Sequence, residues 1–186
     1  MSRRYGMWML SVAAVSVCAL QVSFAGPARA GDEAKDETAT WGNDCSAIEG
    51  WIDSSTDPEI GTTLQLESGK GILVVRQDGK ETWGKTAILV NDVDLNKAST
   101  LEMVVTQVDK GSAFKVGIAP TDWSDFIEVL KRSSADGTHK GDIEKAVKRA
   151  NRKDLLEGPV SFYLVIVVEG KGKAAYVDEV KIRSGK

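Results

Sequence analysis

The chain has 186 residues, 42% of them hydrophobic and 27% charged, with 24 basic against 27 acidic side chains and a single histidine. That length is a prior of about one domain. The acidic balance argues against a nucleic-acid partner, because phosphates would meet a surface of their own sign, and one histidine with two cysteines leaves almost no material for a zinc site.

Arg3 and Arg4 make a basic start, and residues 7–24 are apolar or small apart from Ser11, Ser16, Gln21 and Ser23. Ala28-Arg29-Ala30 then places small residues at the two positions a signal peptidase reads. These are the three parts of a secretory signal, so residues 1–30 are expected to be a signal peptide and the protein to be exported, to the periplasm or the exterior. The apolar run is near the roughly 20 residues a membrane span needs, so an anchor is the competing reading; the Ala-Arg-Ala exit and the acidic stretch after it favour cleavage. Ser2-Arg3-Arg4 has the paired arginines of a twin-arginine signal, but Gly6 and Met7 stand where a large apolar pair belongs, so both export routes stay open. Cys18 follows Val17 rather than a small residue, which argues against lipidation. No later run is long enough to cross a bilayer, so no stable span is expected after cleavage. Cleavage removes three basic side chains and no acid, taking the net charge from −3 to −6.

Residues 31–40 are acidic, small and polar, and read as a flexible leader before a domain at 41–186. Cys45 is then the one remaining cysteine, expected to be a small buried residue. From Trp41 onward the apolar period is mostly two. Leu64 and Leu66 alternate with Gln65 and Glu67, Leu101, Met103 and Val105 with Glu102 and Val104, and Phe114, Val116 and Ile118 with Lys115, Gly117 and Ala119. Tyr176, Val180 and Ile182 read as one buried face of a last strand. Residues 72–75 and 160–168 are continuous apolar runs, expected of strands covered on both sides. Ser68-Gly69-Lys70-Gly71 and Glu169-Gly170-Lys171-Gly172 each read as the turn of a hairpin, with further turns at Asp78-Gly79, Asp109-Lys110-Gly111 and Asp136-Gly137. Residues 142–151 depart from this: Ile143, Ala146, Val147 and Ala150 have helical spacing behind Asp142, a fitting N-cap. Eight or nine short strands with one short helix near 142–151 predict an all-β antiparallel sandwich.

The order of several short motifs resembles galactose-binding-like jelly-roll domains. Trp41-Gly42-Asn43-Asp44 through Gly50-Trp51 is similar to their opening, and Thr82-Trp83-Gly84-Lys85-Thr86-Ala87 with Val93-Asp94-Leu95 to their middle strands. Gly137-Thr138 through Gly141-Asp142-Ile143 falls where they often carry a Gly-Thr and an Asp-apolar pair, and residues 175–182 resemble their last strand. The resemblance spans roughly residues 41–184, with the basic helix at 145–154 as the departure. It implies a jelly-roll β-sandwich and a non-catalytic module that binds carbohydrate. It also implies that Asp178 could join a structural calcium site with ligands near the start of the domain, such as Asp44.

Carbohydrate recognition needs exposed aromatic rings for the apolar faces of sugars, with polar groups nearby for the hydroxyls. Trp123 lies in the polar stretch Pro120-Thr121-Asp122-Trp123-Ser124-Asp125, and Trp83 follows the turn at Asp78-Gly79; these two, with Asp122, are the candidate ligand-binding residues. Trp41 and Trp51 are expected to be structural. The Asp92, Asp94, Asn96 alternation lacks the glycine and glutamate of an EF-hand and reads as a strand with a polar face. Calcium at Asp178 and Asp44 is the only cofactor expectation. His139 sits in a turn-like stretch with no Gly-x-Ser-x-Gly elbow, so a serine triad is not supported. The protein is therefore expected not to be an enzyme. A structural or protein-interaction domain of the cell envelope is the alternative, and a small hydrolase the third reading.

Overall fold

The computed structural model of the protein describes residues 39–54, 62–67, 72–77, 83–97 and 100–183. The expected signal peptide, most of the leader and the turns at 68–71 and 78–79 lie outside these residues. Among the described residues eleven strands form: β1 (Ala39–Asn43), β2 (Trp51–Asp53), β3 (Thr62–Glu67), β4 (Ile72–Gln77), β5 (Trp83–Asp94), β6 (Thr100–Val108), β7 (Ala113–Pro120), β8 (Ile127–Ser133), β9 (Gly137–Asp142), β10 (Pro159–Glu169) and β11 (Lys173–Arg183). β1 takes in Ala39 and Thr40, the last two residues of the expected leader.

The strands make two antiparallel sheets, β3-β4-β11-β6-β9 with β1 added on β11, and β2-β5-β10-β7-β8. β11 shares one edge between two partners: β4 pairs with residues 173–177 and β1 with residues 180–183. The sheets face each other across one hydrophobic core. Leu73, Val75, Leu101, Met103, Val105, Val177 and Ile182 come from the first sheet, and Val90, Phe114, Val116, Ile118, Leu164 and Ile166 from the second. This is the jelly-roll β-sandwich that alternation and resemblance led us to expect.

The period-two reading holds best in β6 and β7. In both, the alternate apolar residues named from the sequence are buried in the core. In β10, residues 164–168 are all buried, as a strand covered on both faces requires. At the margin it fails: Leu66, in edge strand β3, is exposed.

Two expectations are corrected. Glu169-Gly170-Lys171-Gly172 does not close a hairpin, because β10 and β11 belong to different sheets. The segment turns the chain across the end of the sandwich, with Gly170 and Gly172 at φ 102° and 63°, and the Gly172 N–H bonds to the Gln77 carbonyl at 2.7 Å. Asp109-Lys110-Gly111 and Asp136-Gly137 likewise link strands of opposite sheets. The second correction concerns β11. A bulge around Val177 and Glu179 inserts one residue, so the buried set runs Ala175, Val177, Val180, Ile182, while Tyr176 stands half-buried on the other face. An extra residue reverses the parity of everything before it. Asp178 is thus a half-buried residue of the bulge.

The expected helix forms as α1 (Ile143–Arg149), with the Asp142 carboxylate accepting the Lys145 N–H at 2.8 Å. Ile143, Ala146 and Val147 turn into the core, and Lys145, Lys148 and Arg149 face solvent. Among the described residues no helix is long and apolar enough to cross a membrane.

Candidate functional site

The outer face of the five-stranded sheet carries the site. Register places its side chains in rows across β5, β10 and β7: Trp83, Glu169, Ala113; then Lys85, Val167, Lys115; then Ala87, Val165, Gly117; then Leu89, Tyr163, Ala119. The middle of this face is small. Ala87, Ala119, Val165 and Val167 form a buried cluster of their own, with Trp83 and Tyr163 packed against it. Small residues in the centre and large ones at the margin leave a groove of about 940 Å³. Ile52 borders it from β2, while Trp123, Asp125 and Phe126 border it from the loop between β7 and β8.

That loop, residues 121–126, is fixed by short-range hydrogen bonds. The Trp123 N–H bonds to the Pro120 carbonyl at 2.9 Å, the Ser124 N–H to Asp122 Oδ1 at 3.0 Å, and the Phe126 N–H to Asp125 Oδ1 at 2.8 Å. Trp123 adopts φ 57°, a left-handed conformation that is costly for a bulky side chain. Its indole stacks on Tyr163, with centroids 4.5 Å apart and planes at 21°, yet remains 41% exposed. Gly117 admits the neighbouring ring. A Cβ there would lie 2.5 Å from the Ile127 carbonyl oxygen and 2.7 Å from the Phe126 ring, so Phe126 crosses β7 where no side chain stands.

Charged groups line the other half. Lys85 Nζ lies 4.9 Å from the centre of the Trp83 ring, and Lys115 Nζ lies 6.0 Å from that of Phe126. Arg132 Nε donates to Glu169 Oε2 at 2.6 Å. Asp53 Oδ2 accepts the Thr62 N–H at 3.0 Å. The groove thus offers aromatic rings for apolar sugar faces, and donors and acceptors for hydroxyls, along one surface.

Of the residues named from the sequence, the structure brings Trp123 and Trp83 to this groove. Asp122 is exposed and outside the lining; its carboxylate braces the loop, and the bonds from Ser124 hold it below the usual range. Its neighbour Asp125 does line the groove. Tyr163, Phe126, Lys85, Lys115, Arg132 and Glu169 were also missed. Alternation in the continuous apolar run of β10 could have placed Tyr163 opposite Leu164 and Ile166, but nothing local marks the Phe126–Gly117 contact.

Asp44 and Asp178 both lie near Cys45. Burial raises the Cys45 thiol to about 12, reinforced by the charges of Asp178, Asp44 and Glu179. Asp44 accepts the Ser46 N–H at 3.0 Å and the Ser46 hydroxyl at 2.7 Å, which lower its carboxyl. No group of three or more His, Cys, Asp or Glu able to hold a metal occurs among the described residues. His139 is not in a turn: it stands half-buried in β9, edge-on to Phe114 at 4.9 Å, with Nε2 3.1 Å from the Ala135 carbonyl oxygen. Trp51 is buried in the core and Trp41 packs partly buried against it.

No protein-family model matches the sequence, and no curated protein is similar to it by sequence. Among solved structures the chain is similar to PfGH50B, at 11% identity and a TM-score of 0.52, over 80% of this chain and 24% of that one. It therefore spans about a quarter of that protein's length. It is also similar to TmCBM27, a carbohydrate-binding module described for specific mannan recognition, at 12% identity and a TM-score of 0.45, over 80% of this chain and 98% of that one. A third similar structure, described among carbohydrate-binding modules of the β-sandwich superfamily, has 12% identity and a TM-score of 0.48, over 81% of this chain and 62% of that one. At such identities the likeness is one of fold.

Proposed function

We propose that this protein is an exported, non-catalytic domain that binds carbohydrate in the groove on the outer face of its five-stranded sheet. One observation carries the reading: an exposed indole, held in a left-handed backbone conformation and stacked on Tyr163, stands beside a floor of small residues. Costly backbone conformations persist where the surroundings over-determine them, and they cluster at binding sites. Trp123 supplies the platform, and Trp83 closes the opposite end. Asp125, Glu169 and the lysines supply polar partners. A non-catalytic role is favoured because Glu169 is engaged by Arg132 and Asp53 by the Thr62 N–H, while the buried Cys45 stays protonated near neutral pH.

Affinity electrophoresis through gels holding different polysaccharides tests this directly. Retardation by at least one polysaccharide, lost in Trp123→Ala with the thermal transition retained, supports the reading. No retardation across a broad panel overturns it and leaves the protein-interaction alternative, for which exposed Ile48, Ile52 and Leu89 supply apolar surface. Retardation lost on chelation and restored by calcium would support an ion at Asp44 and Asp178; indifference to chelator would remove it. Export rests on residues 1–30. An intact mass beginning at Gly31 in the envelope or medium supports it, and an intact Met1 in the cytosol overturns it.

A further inference from the structure

The basic stretch at 145–154, where the sequence departs from the jelly-roll resemblance, supplies most of α1 and takes no part in the groove. β8 ends one sheet and β9 ends the other. The two meet at Gly141, where a Cβ would lie 2.6 Å from the Val129 carbonyl oxygen and 2.8 Å from Leu130 Cδ2. Arg149 ties α1 to this seam by donating to the Glu128 carbonyl at 3.0 Å. Strands and helix enclose a cleft of about 530 Å³, lined by Lys131, Lys140, Lys145 and Arg149, which shares no lining residue with the groove. Lys145 and Arg149 stand one helical turn apart, about 6 Å along the axis. Lys131 follows Leu130 in β8, and Lys140 precedes Gly141 in β9.

These basic groups are only partly answered. Lys140 Nζ lies 3.0 Å from Glu102 Oε2, but Arg183 Nε lies 3.2 Å from the same oxygen, so one carboxylate meets two cations. The partner of Arg149 is a neutral carbonyl, which occupies a donor and cancels no charge. Lys131 and Lys145 are exposed, and among the described residues neither side chain makes an ion pair or hydrogen bond. The acid of the lining is Asp142, whose carboxylate accepts the Lys145 N–H at 2.8 Å as the helix cap. Four basic side chains thus face one acidic one across the cleft.

We propose that this cleft is a second binding site, for a linear polysaccharide carrying sulfate or carboxylate groups. Successive anionic groups would meet Lys131 on the strand side and Lys145 and Arg149 on the helix side, in charge-assisted hydrogen bonds. A chain with more acidic than basic groups repels polyanions at long range, so the attraction is local to the cleft. Other polyanions suit it less. An anionic bilayer takes up apolar side chains at its interface, and the apolar residues of this lining, Val129, Leu130 and Ala146, are buried. Single-stranded nucleic acid needs rings on which bases stack. The aromatic ring in the lining is His139, which stands half-buried and edge-on to Phe114.

Dextran sulfate and neutral dextran share a backbone and differ in charge, and polygalacturonate supplies the carboxylated case. Calorimetric titration of the three against the purified protein at low salt is the test. At least one charged polymer should bind, and the double variant Lys131→Gln/Lys145→Gln should bind it about tenfold more weakly with its thermal transition retained. Lys110→Gln, at an exposed position in the turn after β6, should leave that affinity unchanged. So should Trp123→Ala, because the groove lies elsewhere, and the double variant should leave any response to neutral dextran as it was. Binding of neither charged polymer overturns the proposal, as does equal affinity in the double variant. A loss in Lys110→Gln as large as in the double variant overturns it by showing diffuse attraction, and a loss in Trp123→Ala by placing the polyanion in the groove. Co-sedimentation with phosphatidylglycerol vesicles that the double variant abolishes, when neither charged polymer binds, would assign the cleft to a membrane surface instead. Failure of the groove to bind any glycan leaves this site standing, since the two share no residue.

Discussion

Trp123 is the residue at which backbone and function pull in different directions. An L-residue with a bulky side chain at φ 57° carries a cost of about 1–2 kcal/mol that glycine does not. The Trp123 N–H bond to Pro120 and the stacking on Tyr163 oppose that cost. Comparing two truncations separates the terms, since both remove the indole and only one removes the Cβ. Trp123→Gly should be more stable than Trp123→Ala by about 0.5–1 kcal/mol, whatever the stacking is worth. Urea midpoints of the two variants decide it; an alanine variant as stable as the glycine one would mean the loop relaxes out of the left-handed region once the indole is gone. The sequence marked Trp123 as exposed because its neighbours are polar. It could not mark the conformation, because no glycine or asparagine occupies the position to announce it.

Among the elements, β7 and β8 show most plainly what local patterning reveals and what it hides. Phe114, Val116 and Ile118 were legible as a core face because burial on one side of a strand imposes period two. The reverse face was not, because Lys115, Gly117 and Ala119 share no property except what they leave uncovered. Gly117→Ala should cost about 2–3 kcal/mol, since its Cβ would strike the Ile127 carbonyl backbone as well as the Phe126 ring. Polysaccharide binding should weaken with it, as Phe126 is pushed from the groove. Denaturant unfolding with parallel gel retardation checks both, and unchanged stability would show that the strands separate easily at this point. The turn at 169–172 shows a different limit. Gly-rich tetrapeptides bring a chain around, but they do not say whether the next strand pairs with the last or crosses to the opposite sheet. The bulge in β11 escaped for a related reason: one inserted residue leaves composition untouched and reverses every inward position on one side of it.

For the whole molecule, the outer face of the six-stranded sheet contributes a pH dependence. Glu102 lies between Lys140 at 3.0 Å and Arg183 at 3.2 Å, joining β6 to β9 and β11. Burial raises the Glu102 carboxyl, but the hydrogen bond and charge of Lys140, followed by those of Arg183, outweigh it and hold the group below its ordinary 4.5. A carboxyl lowered by folding stabilises the native state fully above its unfolded value, and that contribution is lost as pH falls through the folded value. Glu102→Gln should therefore be less stable than the parent at about pH 7, with the two converging below about pH 4. Urea midpoints across that range test it; a constant gap at all pH values would assign the loss to packing instead of charge. At this scale the sandwich was readable from strand count and turn spacing, whereas the groove was not. It arises from register between strands far apart in sequence, with Trp83 opposite Glu169 and Lys115 opposite Val167.

That register also orders events in time. The centre of each sheet is taken by one of the two strands that come last in chain order, β10 between β5 and β7, and β11 between β4 and β6. While a ribosome is still extending the chain, β4 and β6 have no strand to lie between them, and β5 and β7 have none either. Neither sheet can assemble from the residues before Pro159, and the first sheet must wait until Arg183 has emerged. The pairs β2-β5, β3-β4, β6-β9 and β7-β8 are available earlier, but joining them into sheets waits until nearly all of the domain has been made.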